Sequence, residues 1–190
     1  IVVWGGEGMR IAALTCRSFY SLLRGSVSVQ RWVAKAAEYG YGAVALADVN
    51  SLAGVVDLYK AARNVDVQPI VGVEVLTERQ RAVLLAENRT GYENLCRIIT
   101  ACNLNTDFDL VAQLQNDSRG VLCLCNQSAL LEKLRPALDR EHLFAGCGGP
   151  DEVAFAAVHK VEPVVWRNAV WLDSSDVEIA KTLARIRSLS

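Results

Sequence analysis

The chain has 190 residues, 52% hydrophobic and 22% charged, with 20 Lys plus Arg against 21 Asp plus Glu for a formal net charge of -1. That is enough apolar material to bury the core of one domain, which excludes a natively unfolded chain, and the near-zero charge argues against a generic DNA-coating protein. No apolar run approaches the ~20 residues that cross a bilayer and nothing at the start reads as a secretion signal, so a cytoplasmic location without membrane contact is expected.

Residues 1–8, IVVWGGEG, precede Met9 and read as an N-terminal extension, a remnant or an extra strand, with a single domain expected over 9–190. From there short β-rich runs alternate with segments of helical period. The strand candidates are 11–16, 43–47, 69–75, 82–86, 120–125, 143–147 and 163–166. Val29, Trp32, Val33 and Ala36 repeat at helical spacing, and Gly40 stands where a left-handed terminator belongs. Leu52, Val55, Val56 and Tyr59 suggest a second helix with Asn50 or Ser51 as its N-cap, and Thr90 with Glu93 a capping box for a third. Further helices are expected over 128–135, halting before Pro136, over 150–160 and over 174–187 after the Asp173, Ser174, Ser175 cap region. Such alternation predicts a mainly parallel sheet covered by helices, either doubly wound or closed as a barrel. Glycine-rich phosphate loops of standard form are absent.

Six cysteines, Cys16, Cys96, Cys102, Cys123, Cys125 and Cys147, read as reduced thiols, mostly of the core, because a chain this size needs no disulfide framework and the lone CxC of Cys123 and Cys125 lacks a second pair for zinc. The only histidines are His142 and His159, read as surface or helix-end residues.

Ser18-Phe19-Tyr20-Ser21-Leu22-Leu23-Arg24-Gly25 resembles the HxHSxYSxLxG segment near the start of the PHP (polymerase and histidinol phosphatase) domain, as found in alpha subunits of bacterial DNA polymerase III and their error-prone relatives. Residues 43–56, 69–75 and 83–95 are similar, in order and spacing, to the family's ALALTD-H-xxxxGxV, PIxGxEx and VLLAxNxxGYxNL blocks, and 168–171 with 176–187 to its TNDVHY and following helix. The resemblance implies an α/β fold, a PHP-type distorted (βα)7 barrel of about seven mainly parallel strands surrounded by helices.

Active family members hold a cluster of metal ions through His, Asp, Glu and sometimes Cys and hydrolyse phosphoesters with metal-activated water. Carried over by position, the HxH falls on Thr15 and Arg17, the Asp-His pair on Asp48 and Val49, the strand glutamate on Glu74, the histidine before the VLLA strand on Arg81, and the late Asp-x-His on Ala169 and Trp171. Only Asp48 and Glu74 keep a metal-binding side chain, so the site is expected to be degenerate, without catalytic residues and without a cofactor beyond, at most, a weakly held divalent cation. Arg17 and Arg81 are expected to replace the metal charge beside Asp48 and Glu74, Trp171 to fill vacated space, and Cys16 to face the core.

The resulting expectation is a catalytically inactive PHP domain of, or derived from, a DNA polymerase III alpha-type polymerase, acting as a structural and protein-interaction module in replication or repair synthesis. The resemblance implies the polymerase body or a proofreading exonuclease subunit as partner, with DNA met only indirectly; a full-length parent would be a DNA-directed DNA polymerase. Alternatives are a residual metal-dependent phosphoesterase, exonuclease or phosphatase using Asp48 and Glu74, a thiol enzyme built on Cys16 or Cys147 with a histidine, and direct DNA binding by Arg10, Arg24, Arg31, Lys35 and Lys60.

Overall fold

The seven apolar runs are strands in the computed structural model, which describes residues 2–4, 10–166 and 169–188, at 2–4 and 10 through the backbone alone. In chain order the elements begin β1 (Val2–Trp4), β2 (Arg10–Cys16), α1 (Val29–Glu38), β3 (Ala43–Val49), α2 (Val55–Ala62), β4 (Gln68–Leu76) and β5 (Arg81–Ala86). They continue with α3 (Arg89–Leu104), α4 (Leu110–Asn116), β6 (Val121–Cys125), α5 (Ser128–Leu134), β7 (Leu143–Cys147), α6 (Pro150–His159), β8 (Glu162–Val165) and α7 (Ser174–Ser188). Of the segment 1–8, residues 2–4 form the extra strand; Ile1 and 5–8 lie outside the described residues.

Strands follow one another along the sheet in chain order, β1 to β8. A doubly wound sheet reverses its order at a switch point, so this winding removes the open alternative and gives the connectivity of the PHP-type (βα)7 barrel. The described residues divide into two compact units, one running to Val71 and resuming at Ala169, the other from Gly72 to Trp166. In the first, β1 pairs antiparallel and β3 parallel with β2, and a parallel bridge joins Cys16 to Ala169. In the second, β6, β7 and β8 are parallel, while β5 is antiparallel to both β4 and β6.

Helix α1 begins at Ser28, whose side chain accepts from the Arg31 amide at 3.2 Å, and buries Val29, Trp32, Val33 and Ala36. Gly40 ends it at φ 72°, a conformation that costs any residue with a β-carbon. The apolar stripe of α2 differs from expectation. Leu58 and Ala62 are buried while Val56 and Tyr59 are exposed, and the N-cap position is Gly54 rather than Asn50 or Ser51. Asn88, not Thr90, caps α3 by accepting from the Gly91 amide at 3.0 Å, and Glu93 pairs with Arg89 instead. Helix α4 lies where the sequence suggests no element; it buries Leu110, Val111 and Leu114 behind an Asp109 cap. Asp173 caps α7 as the cap region predicts, accepting from the amides of Ser175 and Asp176.

The first unit's core gathers Cys16, Val27, Val29, Trp32, Val33, Val44, Leu46 and Leu58, so Cys16 faces inward as its strand position required. In the second unit β5 and β6 are almost wholly buried, with Leu95, Ile98 and Ile99 of α3 covering them. All six cysteines are free; Cys16, Cys123, Cys125 and Cys147 are buried, whereas Cys96 and Cys102 on α3 are only half-buried.

Candidate functional site

The penultimate residue of β3 is Asp48, which is 1% exposed. Its carboxylate accepts from the Ser18 amide at 2.7 Å, the Ser18 hydroxyl at 2.7 Å and the Ser21 hydroxyl at 2.6 Å. Ser21 Oγ in turn accepts from the Val49 amide at 2.9 Å, so Val49 contributes backbone where the family has an imidazole. The tight 18–25 loop that brings both serines under Asp48 depends on Gly25, where an added β-carbon would stand 1.9 Å from the Ser18 carbonyl oxygen. Burial pushes the Asp48 carboxyl above its ordinary range, and the hydrogen bonds from Ser21 and Ser18 oppose that shift. Two hydroxyls and one main-chain amide thus donate to Asp48. Arg17 is half-buried; its amide donates to Ala169 O at 2.9 Å and its carbonyl accepts from Trp32 Nε1 at 2.7 Å. Thr15, the other HxH position, is buried and its carbonyl accepts from the Ala169 amide at 3.2 Å.

Ala169 therefore lies beside β2, where the family's late aspartate falls, but carries no ligand. Trp171 is 52% exposed, which corrects the expectation that its ring fills vacated space. Buried charge in this segment belongs to Asp176, which accepts from Arg31 at 2.6 and 3.1 Å and from the Leu172 amide at 3.0 Å. Burial alone would raise its carboxyl; Arg31 and the Leu172 amide outweigh that and hold it below the usual range. The sequence marked Arg31 only as part of a basic patch. That patch is spent in part on internal pairs, Arg31 with Asp173 and Asp176, and Lys35 with Glu38.

In the second unit, Glu74 on β4 is 1% exposed and its carboxylate takes Nε of Arg81 at 2.7 Å. The reversed course of β5 makes this contact: Arg81 is its first residue, paired with Leu76 at the end of β4, so the guanidinium reaches back along the hairpin to Glu74. Gln127 fixes the start of β5 by accepting from the Arg81 amide at 2.8 Å. The Arg81 guanidinium also lies over the ring of Trp166, 5.4 Å from its centroid, a cation-π contact. The expected pairing of Arg81 with Glu74 is present, and the aromatic partner of the guanidinium is Trp166. Its Nε1 is the buried side-chain polar atom without a partner among the described residues.

These residues do not fit a metal cluster. Glu74 is neutralised by a guanidinium, Asp48 is occupied by serine donors, and among the described residues no three His, Cys, Asp or Glu side chains stand close enough to share an ion. His142 lies 3.7 Å from Glu87 and His159 ends α6, 3.9 Å from Glu132. No thiol among the described residues is hydrogen-bonded to either histidine: Cys147 donates to the Ala145 carbonyl, and burial with the nearby Asp48 charge pushes the Cys16 thiol up to about 12. Neither has the activated thiolate of a nucleophile.

The profile of the PHP domain family matches residues 13–144. The chain belongs to the PHP domain family. Curated relatives of this PHP chain include an error-prone DNA polymerase of Pseudomonas aeruginosa, 49% identical over 90 residues, which are 47% of this chain and 9% of that protein. Another, from Anaeromyxobacter sp. strain K, is 41% identical over 97 residues, 48% of this chain and 9% of the relative. The matched PHP segment thus spans about a tenth of these polymerases. Among solved structures, an amidohydrolase from Chromobacterium violaceum with bound sulfate and no metal superimposes at a TM-score of 0.58 and 11% identity, covering 84% of this chain and 87% of that one. A two-domain protein from Bacteroides vulgatus containing a predicted PHP-like metal-dependent phosphoesterase gives 0.60 and 12%, over 90% of this chain and 55% of that one. At such identities the likeness is one of fold. Among the described residues no helix is long and apolar enough to cross a membrane.

Proposed function

We propose that this PHP domain works without metal, as a structural and protein-interaction module of an error-prone, polymerase III alpha-type DNA polymerase. The observation carrying this reading is the Glu74–Arg81 ion pair, in which a fixed positive charge occupies the position of a family histidine and satisfies the carboxylate a cation would need. The polymerase affiliation draws support from the 49% identity with the Pseudomonas aeruginosa enzyme. Under that affiliation the partner would be the polymerase body or a proofreading exonuclease subunit.

A second reading, residual phosphoester hydrolysis through Asp48 and Glu74, takes its support from the similar folds, one of them named a metal-dependent phosphoesterase, and those likenesses speak for it more directly than for the scaffold. Metal analysis of protein purified without chelators, together with hydrolysis of p-nitrophenyl phosphate and its thymidine monophosphate ester, separates the two. The metal-free module predicts substoichiometric zinc, manganese and iron and no turnover. Stoichiometric metal with turnover lost in Asp48→Ala overturns it.

A further inference from the structure

At the amino-terminal ends of β7 and β8, opposite the strand ends at Cys147 and Val165, the second unit has a pocket of about 400 Å³. Arg135, Arg140 and Lys160 stand around it, and its one acidic lining residue is Glu132. Leu138, Leu143 and Val161, each buried, give it an apolar floor. Among the described residues none of the three cations is ion-paired with a carboxylate. Arg140 instead donates to the Lys160 main-chain carbonyl at 3.0 Å, which orients its guanidinium without neutralising it. The acids next to these cations in sequence, Asp139, Glu141 and Glu162, do not line the pocket.

Lys160 supplies an independent mark. It terminates α6 at φ 54°, ψ 42°, a left-handed conformation that favours glycine or asparagine over a residue with a long side chain. A long cationic side chain at that position is a local compromise of the kind concentrated at ligand sites. Three unpaired cations against one acid, over an apolar floor, complement an anion that also carries an apolar group. No aromatic side chain lines the pocket to stack a nucleobase, and the cations cluster at one spot rather than along a track, which disfavours single-stranded nucleic acid.

We infer that this pocket docks a short acidic segment of a partner protein, with one aliphatic or aromatic side chain on the Leu138, Leu143 and Val161 floor and its carboxylates on Arg135, Arg140 and Lys160. The inference rests on the interaction-module reading in naming the chemistry of a partner, and it uses a surface separate from Asp48 and Glu74.

The test is fluorescence anisotropy of the 190-residue chain with the labelled heptapeptide Asp-Glu-Leu-Asp-Asp-Leu-Glu, beside the same peptide with amides for acids and a twelve-nucleotide oligothymidylate. Saturable binding of the acidic peptide, weakened by added salt and at least tenfold tighter than the amide peptide, is expected. Lys160→Gly and Arg135→Ser should each weaken it about five- to tenfold, by loss of a charge-assisted contact. Lys160→Gly removes the left-handed strain, so its melting temperature should hold or rise and weakened binding cannot be ascribed to unfolding. Equal binding of both peptides, unchanged affinity in both variants, or binding of oligothymidylate alone overturns the inference. Acidic-peptide binding in a chain that also hydrolyses phosphoesters with metal supports the pocket while overturning the metal-free reading. Absence of binding in a metal-free, inactive chain overturns the pocket alone.

Discussion

Replacing Arg81 by methionine keeps most of the side-chain volume and removes the guanidinium that compensates Glu74. The carboxylate is 1% exposed and the arginine 27% exposed, so the loss strands a buried anion with water close on one side only. Breaking a buried pair by removing one partner costs about 3 to 5 kcal/mol, and the partial exposure of Arg81 places the effect toward the lower end, at about 3 kcal/mol. The contact with Trp166 is part of the same loss, not an addition to it. In a chain of this size about 3 kcal/mol corresponds to a fall in Tm of about 6 to 12 °C. Urea unfolding at pH 7 followed by circular dichroism reads it directly. The double variant Glu74→Leu, Arg81→Met should recover most of that loss, because a well-packed apolar pair replaces a compensated ionic one at little cost. An Arg81→Met cost below about 1 kcal/mol, or a double variant as unstable as the sum of its singles, refutes the reasoning that the pair replaces a cation.

Asp48, raised by burial, should titrate above the ordinary carboxyl value in a carbon-13 NMR titration, and Ser21→Ala should move its midpoint further up, since the hydroxyl favours the anion. The stability that its proton contributes is full below about pH 4 and is lost as pH rises through the folded value; a midpoint at or below the ordinary value refutes this. Asp176 has the opposite sign: its folded value is lowered, so the stability gap between the parent chain and Asp176→Asn should be complete above about pH 4 and close as pH falls through the folded value, measured by denaturation at stepped pH. Gly25→Ala should cost about 2 to 4 kcal/mol, since its β-carbon would meet the Ser18 carbonyl at 1.9 Å, and it should shift the Asp48 resonance by opening the serine loop; an unchanged melt counts against the loop as the holder of Asp48.

The strands were legible because short apolar runs bounded by turn residues are a local signal, and each of the seven runs forms one. Helix α1 was equally plain, with its stripe and its terminating Gly40 both in place. The face of α2 was not, because Leu52, Val55, Val56 and Tyr59 satisfy the same period as Val55, Leu58 and Ala62, and only packing against the first core selects between them. Helix α4, of 7 residues, is too short to show a period. At the site, the loss of imidazoles could be read by position, but the identity of what replaced them could not. Arg81 lies seven positions from Glu74 on one hairpin and was foreseen; Ser18 and Ser21 reach Asp48 across 30 and 27 residues through a loop fold that no spacing rule encodes.

Because β5 runs against its neighbours, the Glu74–Arg81 contact closes across a single turn of chain instead of waiting for distant segments to assemble. Hairpins zip in about 1 to 10 microseconds, far ahead of non-local strand pairing. The anion and its counter-charge thus sit within one local unit of chain, and their pairing asks for no distant segment.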